Sequence, residues 1–296
     1  LTTTEEKYMN KSLGKVLLSL LLAWLIPCQF AWGLDREKPD QIDVIVFPNI
    51  QYDAVEDIFT YNYSLTSTEK SLQEVDSLVI LTDKFYSRTN PAQGWFALKF
   101  PHRNPPSGVP PCVVWSAGYG DLPIGKDVSI PGIPLPPYAI KPGNSLAGFS
   151  FESKEPPGVA TFFSKGWVKI PDYTEEPPAE GPPPPLEFGH DRFKGITVAP
   201  VVVTDTSSGG LIDRLITLKD SMPGYGWIAN QGIINSLNVK LKAAKESIAK
   251  GNNKTASNQL SAFINELDAQ KGKQVNENAW ALLKANAEFL IHKIGE

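Results

Sequence analysis

The chain has 296 residues, is 42% hydrophobic and 20% charged, and carries a net charge of -4. That length admits about two domains of ordinary globular composition, and the acidic balance excludes a general phosphate-gripping surface for nucleic acid. Two cysteines exclude a disulfide-stapled scaffold or a thiolate-rich metal site, and three histidines leave little room for imidazole chemistry.

Residues 1–33 read as a signal peptide, with Leu1–Tyr8 as upstream read-through before a start at Met9. Lys11 and Lys15 form a positive n-region, and Val16–Ile26 is an apolar run broken only by Ser19. As a helix that run rises about 17 Å, short of the roughly 30 Å of a hydrocarbon core, and it suits the apolar region of a secretory signal. Pro27 ends it, and Ala31-Trp32-Gly33 offers small residues for cleavage after Gly33. Two other readings stay open. One is a signal anchor continuing to Trp32. The other is a lipid anchor on Cys28, weakened by Pro27 standing where lipoprotein signals want a small residue. The expected destination is therefore secreted or cell-surface, with no membrane span after cleavage; a periplasmic or lipid-anchored protein is the weaker expectation. Cleavage leaves only Cys112, in the apolar run Pro111–Trp115 without cationic neighbours, which reads as a small buried hydrophobe.

Residues 34–171 read as an antiparallel β-sandwich. Val44 and Val46 alternate with Ile45. In Val55–Leu65 the set Phe59, Tyr61 and Tyr63 alternates with Ile58, Thr60 and Asn62. Leu78–Leu81, Gly94–Phe100, Cys112–Ser116, Leu146–Phe151 and Val159–Ile170 are further strand candidates. Asn90-Pro91, Pro142-Gly143-Asn144 and Pro156-Pro157-Gly158 punctuate them as turns. Lys141–Glu152 (KPGNSLAGFSFE) followed by Pro157-Gly158-Val159 resembles an uncharacterised group of secreted bacterial β-sandwich proteins over about residues 40–200. That resemblance implies a fold and no activity.

Residues 172–206 read as a proline-rich linker with a possible final strand. Twenty of the 26 prolines lie between Pro101 and Pro185, which forbids helix there. The run Pro182–Pro185 predicts a solvated polyproline spacer. Phe193, Ile196, Val198 and Val201–Val203 are too apolar for a free linker and predict a strand returning to the sandwich, which leaves Asp205–Gly210 as the hinge.

Residues 207–296 read as a small antiparallel bundle of about four helices. Leu211, Ile212, Leu215 and Leu218 share one face, and Pro223-Gly224 ends that helix. Ile234, Leu237, Leu241, Ala244 and Ile248 form a second stripe, and Ala256, Leu260, Phe263, Ile264 and Leu267 a third. Gly251 and Gly272 are expected helix ends, and Asn276 is placed to cap a last helix carrying Ala279, Leu282, Leu283, Asn286, Phe289 and Leu290, with Trp280 at the stripe's edge. Gly232–Ile248, Gly251-Asn252, Ala262-Phe263-Ile264, Gly272-Lys273 and Ala287–Ile291 resemble the FIMAH-type helical domain over nearly all of residues 209–292. The resemblance implies an accessory or attachment module of bacterial extracellular proteins, some of them polysaccharide-active, without catalytic residues. Lys240, Lys242, Lys245, Lys250 and Lys254 read as a solvated face, or as a basic patch for an anionic wall polymer.

Catalytic patterns are missing. Gly143-Asn144-Ser145-Leu146-Ala147 lacks the second glycine of a nucleophile elbow, and Ile124-Gly125-Lys126-Asp127 is no phosphate loop. His102, His190 and His292 are scattered, and Asp53, Glu56 and Asp57 lack calcium-loop spacing, so no metal or cofactor is expected. The positive signal is aromatic: Trp95, Trp115, Tyr119 and Trp167 are the candidate binding residues, although most such rings are expected to pack in the core or at its edge; Trp95 and Tyr119, each beside glycine, are those expected to be exposed. The reading is an exported, non-enzymatic binding or structural protein, a recognition sandwich plus a helical attachment or spacer module. Its partner would be a cell-surface polysaccharide or another extracellular protein. Alternatives are an accessory or carbohydrate-binding module of a polysaccharide-active enzyme, a hydrolase with an unrecognised carboxylate pair, and a surface-layer or matrix subunit.

Overall fold

The computed structural model describes residues 40–83, 87–100, 110–118, 137–168 and 192–295. The expected signal peptide, Cys28, Tyr119 and the Pro182–Pro185 run lie outside the described residues.

Among the described residues, nine strands form two antiparallel sheets, followed by four α-helices. The strands are β1 (Val44–Asp53), β2 (Ile58–Ser67), β3 (Val75–Leu81), β4 (Ser87–Asn90), β5 (Trp95–Phe100), β6 (Cys112–Ala117), β7 (Ser145–Ser153), β8 (Pro157–Gly166) and β9 (Phe193–Pro200). One sheet runs β1-β2-β7-β4 and the other β5-β6-β3-β8-β9. Alternation decides what each strand buries. Phe59, Tyr61, Tyr63 and Leu65 of β2 face inward with Phe149 and Phe151 of β7, against Leu78, Ile80, Val113 and Trp115 of the other sheet. Pro48 is tolerated in β1, opposite Tyr63, because β1 is an edge strand that can lack a ladder donor. Both buried phenol hydroxyls of β2 find partners: Tyr61 Oη donates to the Glu155 carbonyl at 2.7 Å, and Tyr63 Oη crosses the sandwich to the Val198 carbonyl at 2.9 Å. Burial pushes both phenols well above their ordinary pKa, so both remain donors.

The sequence expectation misses β4, whose four residues, Ser-Arg-Thr-Asn, carry no apolar alternation and form a strand only by pairing with β7. The strand expected from Val55 starts later, because Asp53 Oδ1 accepts the amides of Val55 and Glu56 at 2.8 and 3.1 Å and folds them into a turn. Cys112 is buried with Val79, Val114 and Phe163 in a second small cluster. Burial pushes its thiol up to about 12, opposed by Arg192. Native protein should therefore resist iodoacetamide at pH 8 and react only after denaturation; fast labelling of the folded chain would contradict that burial.

The helices are α1 (Ser208–Ser221), α2 (Gln231–Ala249), α3 (Asn253–Gln270) and α4 (Glu277–Gly295). The segment expected to hinge is instead a helix cap: Asp205 Oδ1 accepts the Ser207 amide at 3.0 Å, and Ser207 Oγ accepts the Gly210 amide at 3.1 Å. The first stripe packs as expected and gains a member: Leu211, Ile212 and Leu215 are buried and Leu218 packs partly buried against the core, while Lys219 beside it is fully buried with its Nζ on Asp220. Gly251 and Gly272 end their helices at φ 70°, and Asn276 Oδ1 accepts the Ala279 amide at 2.9 Å.

Helix α4 differs from the other three. Besides the expected stripe, Asn278, Ala281, Ala285, Ala287 and Ile294 are buried. A helix buried on more than one face must have more than one partner. One side of α4 packs in the bundle on α1 and α3; the other lies on β1, β8 and β9. Strands β1 and β9 are edge strands of opposite sheets that meet along one side of the sandwich, so α4 covers that open side. Sandwich and bundle thus share one contiguous core.

Candidate functional site

Three of the four sequence-predicted aromatics fall within the described residues. Trp95 is 5% exposed, against the exposure expected beside Gly94, and Trp115 is fully buried, as core packing of these rings anticipates. Their indole nitrogens are used internally, Trp95 Nε1 donating to the Tyr138 carbonyl at 2.9 Å and Trp115 Nε1 to the Asn90 carbonyl at 3.2 Å. Gly94 does not expose its neighbour. Glycine is required there on two counts: its backbone is left-handed at φ +75°, and a Cβ on that backbone would lie 2.1 Å from the Tyr138 ring. Trp167 is half-buried just beyond β8, its amide on the Glu74 carbonyl at 2.7 Å. The structure does not gather these residues into one site.

A cleft of about 730 Å³ lies elsewhere, along the seam between β1 and α4. The strand supplies Asn49, Ile50, Gln51 and Tyr52, with Ala54 from the turn beyond. The helix supplies Trp280, Lys284, Glu288 and His292, together with Ile291. The first four recur every fourth residue and make one stripe. Asn49 and Gln51 are two apart on an extended strand, so both side chains leave the same outward face, and both are exposed.

The tryptophan is held in place. Its Nε1 donates to Asp268 Oδ1 at 2.6 Å, and the Lys271 ammonium rests 3.3 Å from the ring centroid. Lys284 Nζ reaches Asp268 at 3.1 and 3.2 Å. Burial acts to raise the Asp268 carboxyl, but the hydrogen bonds from Trp280 and Lys284 outweigh it and hold the group below the usual carboxylate range. The anchor is thus intact above that range and is lost as pH falls through the lowered value. At the other end Tyr52 Oη donates to Asp57 Oδ1 at 2.7 Å, and Lys293 of α4 lies 3.8 Å from the same oxygen. The Tyr52 ring packs 5.2 Å from Phe289 and 5.6 Å from His292.

Glu288 is the one carboxylic acid among the lining residues. Burial pushes its carboxyl up, with Lys284 opposing and Asp268 adding to the rise. The folded state therefore favours the protonated form, and the stability this confers is present at low pH and lost as pH rises through the raised value. Glu288→Gln should consequently raise the melting temperature slightly at neutral pH and flatten its slope across the acid range. A lower melting temperature at pH 7 would show that the charge is needed.

With this geometry in view, the helices can be compared with known proteins. Residues 212–292 match the FIMAH domain. The cleft is therefore built from the last FIMAH helix on one side and the sandwich edge on the other. A solved structure that resembles the chain is an uncharacterised protein from Nocardia farcinica, described as having an immunoglobulin-like fold. The two are 15% identical, the match covers 53% of this chain and 98% of that one, and the TM-score is 0.28. No curated protein matches. Among the described residues no helix is long and apolar enough to cross a membrane, and no group of three or more His, Cys, Asp or Glu is placed to hold a metal ion.

The sequence reading placed Trp280 correctly at a stripe edge but did not join it to Asn49 and Gln51. The available signal was the alanines. Ala281 and Ala285, one turn apart, lie off the bundle stripe and are buried, so α4 has a second small-residue face that demands a close neighbour.

Proposed function

We propose that this is an exported, non-catalytic binding protein in which the FIMAH domain and the β-sandwich together hold a ligand at their seam. The observation that carries it is the cleft's polar and aromatic composition: one fixed indole, one phenol, one imidazole, two amides, one lysine and a single carboxyl group. Glycoside cleavage needs two carboxyls across the scissile bond, and acyl transfer needs a nucleophile with its base; the described lining holds neither set. The signal-like residues 1–33 and the FIMAH match support export. With α4 occupied by the sandwich, any attachment role of the FIMAH domain falls to the outward faces of α2 and α3. There Lys240 pairs with Glu266 and Lys245 with Asp213, while Lys242, Lys250 and Lys254 stand exposed. Coverage of the β1 and β9 edges by α4 disfavours strand-to-strand assembly on that side.

The test is sedimentation of purified residues 34–296 with isolated cell-wall polysaccharide, alongside an assay for shortened polymer. Retention without shortening is expected. Polymer cleavage that disappears in Glu288→Gln would overturn the non-catalytic reading.

A further inference from the structure

We infer that the β1–α4 cleft takes a linear, uncharged oligosaccharide, with Trp280 as the stacking platform and Asn49 and Gln51 as the hydroxyl readers. This rests on the binding reading above and names the ligand class for the same cleft. Length comes first. From Trp280 to His292 the helical wall runs about 18 Å at 1.5 Å per residue, which suits several units of a chain better than one compact molecule. Charge comes second. Lys284 and Glu288 oppose each other, and Lys284 is already engaged by Asp268, so the lining offers no surplus charge to attract a polyanion.

Chemistry comes third. Sugars present a face of C–H groups and a rim of hydroxyls that both donate and accept. A rigid indole suits the face, and planar amides, which also donate and accept, suit the rim. Trp280 is fixed by Asp268 and Lys271 before any ligand arrives, so little ordering is left for binding to cost; Lys271 covers one ring face at 3.3 Å and Lys284 lies 5.1 Å from the centroid, so a sugar takes the face that Lys271 leaves, beside Lys284. Among the described residues, neither the Asn49 nor the Gln51 amide has a hydrogen-bond partner, so both remain available to a ligand. An extended peptide is the poorer occupant. It would need the free edge of β1 for main-chain pairing, and α4 already lies along that strand.

The experiment is calorimetric titration of the whole chain from residue 34 with β-1,4-linked hexamers of glucose, xylose and N-acetylglucosamine, with hexagalacturonate as the anionic probe. At least one neutral hexamer should bind, and hexagalacturonate should not. Gln51→Ala, on an exposed outward position, should weaken binding about tenfold, and Trp280→Ala by more. Because Trp280→Ala also removes contacts to Asp268 and Lys271, the Gln51 variant keeps the test independent of any folding defect. The inference is overturned if no neutral hexamer binds, if binding is unchanged in both variants, or if hexagalacturonate binds more tightly. Retention on cell-wall polysaccharide with no hexamer binding would sink the ligand class alone, whereas cleavage of a hexamer would sink the non-catalytic reading with it.

Discussion

Phe289→Ala should destabilise the whole chain by about 3–5 kcal/mol, the range for emptying a buried phenylalanine site. The ring is 6% exposed and sits 5.2 Å from Tyr52 and 5.4 Å from Phe59, so it belongs to the sandwich core although it is carried by the last helix. Its loss opens a cavity on the seam, where neither half can close it alone. Wild-type protein from residue 34 in urea should unfold in one transition, with the far-ultraviolet helical signal and the protection of the sandwich thiol Cys112 from labelling lost together. The variant should move both signals to lower urea. Two separate wild-type transitions, with only the helical one shifted by the substitution, would show that the two halves do not share a core.

Asn286→Ala comes next, at about 3 kcal/mol, because it leaves buried polar groups without partners. Asn286 Nδ2 donates to the Pro157 carbonyl at 3.0 Å and to the Leu282 carbonyl at 2.7 Å, while Oδ1 accepts from Arg214 Nη1. Arg214 Nη2 meets the same Pro157 carbonyl at 2.7 Å. One carbonyl at the start of β8 is thus held by side chains from α1 and α4. Burial pushes the Arg214 guanidinium down from its ordinary pKa, opposed by Tyr61, and an arginine in that setting depends on its partners. Arg214→Ala with Asn286→Ala should cost less than the two singles added, since each single strands the other's group. Strict additivity in denaturant melts would show that the three groups do not act together.

Much of the fold is legible from local pattern. Phe59, Tyr61 and Tyr63 stand at alternate positions and point the same way because a strand allows nothing else. The bundle stripes are equally plain, because residues three and four apart must share a helix face. Failures occur where the deciding contact lies far along the chain. The four polar residues of β4 are a strand only beside β7, and Lys219 is buried only because the bundle closes over it. Trp115 carried a readable clue, since Val113 two residues earlier shares its inward face. The glycine beside Trp95 gave a false one: it leaves room for the Tyr138 ring where a Cβ would clash, and says nothing of exposure.

The candidate site shows the same division. The sequence, by predicting the last helix, determined that Trp280, Lys284, Glu288 and His292 lie on one helical stripe, since that follows from backbone period; the strand read around Val44 and Val46 reaches Asn49 and Gln51 only in the folded chain, where pairing with β2 carries it to Asp53. Only the tertiary structure decided that this stripe borders that strand. The seam depends on the small second face of α4 fitting over two sheet edges, with Phe289 filling the space between Tyr52 and Phe59. Complementarity of shape between distant segments leaves no periodic trace in either segment, so it exists only once the chain has closed on itself.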